Sequence, residues 1–195
     1  RINLSSAVCG SLAAFFLAAG VGLWVSCAWT GVAAGGAFAF APLVWEYAVQ
    51  GEVFALNNFN NALLFYLLVR YARVPSLGGA CAGAFAIGLA LCNQHTMVFY
   101  CVPYAAWALF VGRRFLLQPR ALAALALSGL LGLLPYAYLP FASGRHAAWG
   151  SWGDQRSVSG FLIHVLRREY GTFRLANTDA TTNADYLPRL QRYFT

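Results

Sequence analysis

Residues 74–112 read VPSLGGACAGAFAIGLALCNQHTMVFYCVPYAAWALFVG, 39 residues without an Asp, Glu, Lys or Arg. Only Cys92-Asn93-Gln94-His95-Thr96 interrupts the apolar text, near its centre. A helix rises about 1.5 Å per residue and needs about 20 residues to cross a hydrocarbon core roughly 30 Å thick. The stretch has the length of two crossings joined by a polar hairpin.

The neighbouring gaps between charges read the same way. Arg1 and Glu46 enclose 44 uncharged residues, Glu52 and Arg70 enclose 17, and Arg120 and Arg145 enclose 24. These lengths fit two, one and one further crossings. The sequence thus predicts an all-α, polytopic membrane bundle of about six transmembrane helices. Composition agrees: 60% of the 195 residues are hydrophobic and 10% charged, against about 25% charged in soluble domains. That excludes a water-soluble globule, a disordered tail and a disulfide scaffold. Six crossings also exclude a signal peptide as the reading of the whole.

The sign of the charges sets an orientation. All 13 basic residues are Arg, against six acids, giving a net charge of +7. Arg70 and Arg73 share one short loop, and Arg113, Arg114 and Arg120 another. Short cytoplasmic loops gather basic residues because these resist translocation. This placement argues for a membrane and against nucleic acid. With both loops inside, the crossings are about Leu4–Trp29, Val32–Val49, Val53–Val69, Leu77–Leu91, Met97–Val111 and Ala121–Phe141, the second weakened by Pro42. The bundle is expected over 1–142, with a luminal or interfacial segment over 143–195.

Alternation then puts the scarce polar residues on one face: Glu46, Glu52, Asn57, Asn58, the Asn93-Gln94-His95 run and the polar segment after Gly144. Polar groups in or beside spans are costly unless they face a cavity or the protein interior. Their convergence predicts a site at the outer mouth. Glu52 reads either as an acid favoured by the dipole of a first helical turn or as an acid facing that pocket. Asn57 and Asn58 suit a polar cavity or interhelical hydrogen bonds, and Asn60 and Asn61 read as structural glue. Asn93, Gln94, His95 and Thr96 form either a surface hairpin or donors to a phosphate or sugar hydroxyls.

Beyond Trp149-Gly150-Ser151-Trp152-Gly153-Asp154-Gln155, Ser157 reads as an N-cap. Phe161, Leu162, Val165 and Leu166 form an apolar stripe, and Gly171 is a stop. This predicts an amphipathic helix on the outer face, with His164, Arg167, Arg168 and Glu169 near the headgroups. It is either an interfacial anchor or a lid whose Arg residues meet a lipid-linked phosphate. Small-residue pairs Gly31/Gly35 and Gly79/Gly83 read as helix packing. The five cysteines lie in or beside apolar spans with no C-x-x-C, and no metal site is expected. Asn3-Leu4-Ser5 matches a glycosylation sequon but abuts a span and reads as unused.

Several of these segments resemble the transmembrane protein 260 family: Gly51-Glu52-Val53-Phe54-Ala55-Leu56-Asn57-Asn58, Leu91-Cys92-Asn93-Gln94-His95-Thr96, Trp152-Gly153-Asp154-Gln155 and Leu166-Arg167-Arg168-Glu169-Tyr170-Gly171-Thr172-Phe173. The opening Arg1-Ile2-Asn3-Leu4 does so too. The resemblance runs in order along nearly the whole chain. It implies a GT-C fold and an endoplasmic-reticulum, multi-pass protein O-mannosyltransferase. The implied donor is dolichyl-phosphate mannose, and the acceptor is Ser or Thr of receptor ectodomains. No cofactor beyond the lipid-linked donor is implied. The resemblance departs in lacking an acidic first luminal loop, so the catalytic acid is expected upstream of Arg1 and the chain alone is expected to be inactive. Glu46 stands where Gln is expected and Arg168 where Glu is expected, so neither receives a role.

Within that resemblance, the candidate substrate-binding residues are Glu52, Asn57, Asn93, Gln94, His95, Trp152, Asp154, Arg167, Glu169 and Tyr170. The rival reading is a non-enzymatic transporter or lipid-binding scaffold, whose intramembrane Asn and His would line a path.

Overall fold

A computed structural model describes residues 2–145 and 155–166, and every described element is helical. The chain divides into two compact units, 1–137 and 138–195.

In the first unit, α1 is Ile2–Val25, 24 residues without a charge. It ends at Ser26, whose φ of 57° is left-handed, and at extended Cys27. This two-residue turn reverses the chain into α2, Ala28–Ala39. Helix α3, Pro42–Ala48, carries Pro42 in its first turn, and Ala41 before it is extended. Proline lacks an N–H and pushes its predecessor out of the helical region. The second apolar stretch is therefore two helices bent by 68°, not one rod. Helix α4 is Val53–Arg73, with Glu52 as its N-cap residue and Arg70 and Arg73 in the last turn. The Glu52 side chain makes no capping bond.

Helix α5 is Leu77–Asn93, capped by Ser76, whose hydroxyl accepts from the Gly79 amide at 3.1 Å. Gln94 is extended and stops it, a 3-10 turn over His95–Met97 follows, and α6 is Val98–Val111. The short α7, Arg113–Leu116, leads to α8, Pro119–Gly132, again with proline in the first turn. A 3-10 turn over Leu134–Ala137 closes the unit.

Contacts between particular residues fix the helix directions. Gly22 meets Gly31, and Ala14 and Ala18 meet Gly35, so α1 and α2 are antiparallel. Phe16 touches Phe59 and Tyr66, and Trp24 touches Phe65, so α1 and α4 run the same way. Asn93 reaches Val53 while Tyr71 packs with Ala80, so α4 and α5 are antiparallel. The result is a unit with two chemically different ends. One gathers the starts of α1 and α4 and the ends of α3 and α5. The other gathers the Ser26-Cys27 turn, Arg70, Arg73 and α7. There the Arg73 guanidinium donates to the Leu23 carbonyl and the Ser26 hydroxyl.

The interior is made mostly of small residues, with Leu64, Tyr71, Met97 and Leu116 the larger side chains buried among them. Ala13, Ala55, Ala62, Ala80, Ala86 and Ala90 are buried, whereas Phe15, Trp24, Trp29, Phe40 and Trp107 are exposed. This inverts the usual soluble pattern and is the distribution expected where small residues let helices approach closely and lipid is the solvent. Gly31 shows the constraint: an added Cβ would collide with the Ala18 carbonyl oxygen and lie 2.9 Å from Gly22 Cα. The Gly79/Gly83 pair departs from its expected packing role, because a Cβ on Gly83 meets nothing within 4 Å. The close approach in that region is Gly88 with Gly132, between α5 and α8.

Among the described residues one helix, Ile2–Val25, is long and apolar enough by itself to cross a membrane. The number rises to three if α2 with α3, and α8 with the segment after it, each form one span. Leu77–Asn93 and His95–Val111 are apolar but shorter. Helix α4 has 21 residues, and its four Asn and two Arg lower its hydropathy.

In the second unit, α9 is Tyr138–Arg145 and α10 is Val158–Val165. Ser157 is the N-cap of α10 and accepts from the Gly160 amide at 3.0 Å, as its sequence predicts. Arg156 donates from Nε to the Ser143 carbonyl at 3.0 Å.

Candidate functional site

The polar end of the first unit holds five of the residues singled out by sequence. Gly51 lies against the start of α1, where a Cβ would stand 2.7 Å from Ile2. Glu52 follows, exposed, with an unattached carboxylate at the mouth of α4. One turn into α4, Asn57 is half-buried, and its Oδ1 is buried with no hydrogen-bond partner. Asn61, one further turn along the same helix face, has a buried Oδ1 in the same condition. The reading of Asn61 as interhelical glue therefore finds no bond on that oxygen. Asn60 is buried.

Asn93, the last residue of α5, donates from Nδ2 to the Val53 carbonyl at 3.3 Å and ties the end of α5 to the start of α4. Gln94 turns the chain. Its backbone carbonyl accepts from the Met97 amide at 3.1 Å, while its side-chain Oε1 is buried without a partner. The polar run is thus more than a surface hairpin, since Asn93, Gln94, His95 and Thr96 are all half-buried. Met97 beneath it is fully buried against Leu64, Ala86, Ala90 and Cys101. This plug anchors the turn.

Tyr136 is the residue that sequence reasoning missed. Its hydroxyl donates to the Leu91 carbonyl at 3.2 Å and lies 3.4 Å from His95 Nε2. A phenol has one proton to give. With that proton on Leu91, the Tyr136 oxygen is left to accept from His95 Nε2–H. The imidazole is then held at one nitrogen by a group that is itself fixed to the backbone. A tyrosine in an apolar segment carries no signal of this; only the approach of α8 to α5 through Gly88 and Gly132 brings it there.

The end therefore offers hydrogen-bond acceptors that lack donors (Asn57 Oδ1 and Gln94 Oε1, with Asn61 Oδ1 a turn deeper along α4), together with an oriented histidine and an exposed carboxylate. Buried amide oxygens without partners are uncommon, and the hydroxyl groups of a polar ligand are donors that match them. Trp152, Asp154, Arg167, Glu169 and Tyr170 lie outside the described residues. Among the described residues no group of three or more His, Cys, Asp or Glu could hold a metal ion.

Described elements that are all helical, with mostly small residues inside, large apolar residues outside and polar residues gathered at one end, have the build of a membrane protein. The chain belongs to the protein O-mannosyltransferase TMEM260 N-terminal domain family, which it matches over residues 1–117. It is 36% identical over 193 residues to Protein O-mannosyl-transferase tmem260 of Dictyostelium discoideum, covering 92% of this chain and 24% of the relative. It is 40% identical over 184 residues to Protein O-mannosyl-transferase TMEM260 of Mus musculus, covering 92% of this chain and 26% of the relative. The chain thus spans about a quarter of the length of these curated relatives. No solved structure matches it.

Proposed function

We propose that this chain forms part of the membrane body of a GT-C-type protein O-mannosyltransferase of the endoplasmic reticulum. It moves mannose from dolichyl-phosphate mannose to Ser or Thr of secretory-pathway receptor ectodomains. The observation that carries the reading is the gathering of Glu52, Asn57, Asn93, Gln94 and His95 at one end of the first unit, in a chain of this family.

In such a transfer the acceptor hydroxyl attacks mannose C1 and gives its proton to a base. The C1–O bond to phosphate breaks, and its electron pair leaves with the phosphate. Donors directed at the leaving phosphate stabilise the charge that develops there. In this reading, Asn57 and Gln94 accept hydrogen bonds from sugar or acceptor hydroxyls. Asn93 fixes the mouth, and His95, oriented by Tyr136, faces the polar ligand. Glu52 binds at the rim, and the base is supplied from outside this chain, which spans about a quarter of its relatives' length. In this reading the arginine end faces the cytosol, as short basic loops do, and the polar end faces the lumen.

The test is mannosyl transfer by the complete polypeptide in microsomes, with dolichyl-phosphate mannose and an immunoglobulin-like receptor domain. His95→Ala is expected to lower transfer by about 100-fold, within the range of a positioned catalytic or binding group, at unchanged protein level. Wild-type turnover in both His95→Ala and Gln94→Ala would remove these residues from the site, whereas no transfer by the unmutated polypeptide would favour a transporter or scaffold instead.

A further inference from the structure

Away from the polar mouth, between α4, α5, α6 and α8, lies a cavity of about 290 Å³. Its wall is almost wholly hydrocarbon, with Leu68, Gly83, Leu109, Leu116 and Leu125 among its lining. Tyr71 also lines it and is only 4% exposed, yet its hydroxyl is buried without a hydrogen-bond partner. That hydroxyl lies over Gly112, where a Cβ would collide with it. Glycine thus leaves room for a polar atom at the junction of α6 and α7, immediately before Arg113.

The rim at this end is cationic. Arg113 and Arg114 are exposed on α7, whose Leu116 closes the cavity. Arg120 is exposed in the first turn of α8, two residues before the lining Leu122. Arg113 also lies over the Phe110 ring at 4.8 Å. On the α5 side the slot is open: a Cβ on Gly83 would meet nothing within 4 Å.

A narrow apolar slot with one unused hydroxyl and an arginine rim at one end suits an amphiphile. Its chain would lie along the leucines, and an ester or phosphate oxygen would accept from Tyr71. A negative headgroup would meet the guanidinium groups, which match phosphate geometry. We propose that this cavity binds one acyl chain of an anionic glycerophospholipid from the leaflet at the arginine end. The proposal rests on the membrane orientation given above and is independent of mannosyl transfer, whose polar mouth is at the opposite end. The arginine rim selects the anionic class over zwitterionic lipids.

The experiment uses the complete polypeptide in liposomes containing phosphatidylglycerol with a photoactivatable diazirine on one acyl chain. The same probe on phosphatidylcholine is the comparison, and adducts are mapped by mass spectrometry. Phosphatidylglycerol is expected to label peptides spanning 64–71 and 79–87 in preference to phosphatidylcholine. Gly83→Leu, which grows into open space, is expected to lower that labelling about tenfold. Tyr71→Phe, which keeps the ring, is expected to lower it about threefold, the worth of one hydrogen bond.

Equal labelling by the two lipids overturns the headgroup selection. Labelling of outward residues such as Phe15 without labelling of the cavity peptides overturns the site and points to another segment of the polypeptide covering it. Absence of labelling on any helix overturns the membrane reading itself, so the two failures are distinguishable.

Discussion

Asn93 Nδ2 donates to the Val53 carbonyl at 3.3 Å, and this bond joins two helix ends that are 40 residues apart in sequence. Gln94 follows Asn93 and Glu52 precedes Val53 in the chain, so the bond brings the two polar segments together. Asn93→Ala is expected to destabilise the fold by about 0.6–1 kcal/mol, the usual worth of a side-chain bond between membrane helices. It should also lower mannosyl transfer more than it lowers stability. Thermal unfolding in detergent beside a transfer assay checks both. An unchanged activity with a lowered melting temperature would leave Asn93 as structural only.

Tyr136→Phe removes one hydroxyl, which bridges the Leu91 carbonyl and His95. The ring stays, so packing is kept. The imidazole loses the group that orients Nε2. The expected outcome is a loss of transfer of about tenfold, equivalent to roughly 1.4 kcal/mol. The variant that combines Tyr136→Phe with His95→Ala should be no worse than His95→Ala alone, and a transfer assay on the three checks this.

The glycines separate packing from open space. Gly31→Val places a side chain into the Ala18 carbonyl and Gly22. Overpacking of this kind costs about 1–3 kcal/mol or more, so the α1–α2 hairpin should lose stability and the protein its expression level. Gly88→Val is expected to do the same between α5 and α8, where Gly132 stands 2.8 Å from the added Cβ. Gly36→Ala meets nothing within 4 Å and is expected to change stability by no more than about 0.5 kcal/mol. Fluorescence-detected size exclusion of the three variants after heating ranks them.

How much of this was legible in the sequence depends on the kind of signal. Helices and their order follow from charge-free length, and two of the breaks follow from Pro42 and Ser157, because each acts on its own local backbone. The convergence of Glu52, Asn57, Asn93, Gln94 and His95 was also readable, since alternating direction forces it. The condition of individual atoms was not readable. Asn61 reads as glue, yet its oxygen is left over. Tyr136 reads as one more aromatic until α8 packs on α5. Gly83 and Gly88 look alike in sequence, and only the crossing point of two helices decides which one must be glycine.

Cys27 reports on orientation and chemistry together. It sits in the turn between α1 and α2, at the arginine end and outside the helices. A hydrogen bond from the Thr30 hydroxyl, helped by the backbone amides of Thr30 and Trp29, holds its thiol below the usual value of 9.0. The thiolate is the reactive form, so the labelling rate rises as pH passes through the lowered value and levels off above it. Thr30→Val removes the largest cause. The variant should label more slowly near neutral pH, and the two rates should converge at alkaline pH, where both thiols are ionised. In sealed microsomes an impermeant maleimide added outside should reach Cys27, with Cys27→Ser as the blank. Labelling only after the membrane is opened would put the arginine end in the lumen and reverse the orientation of the polar mouth.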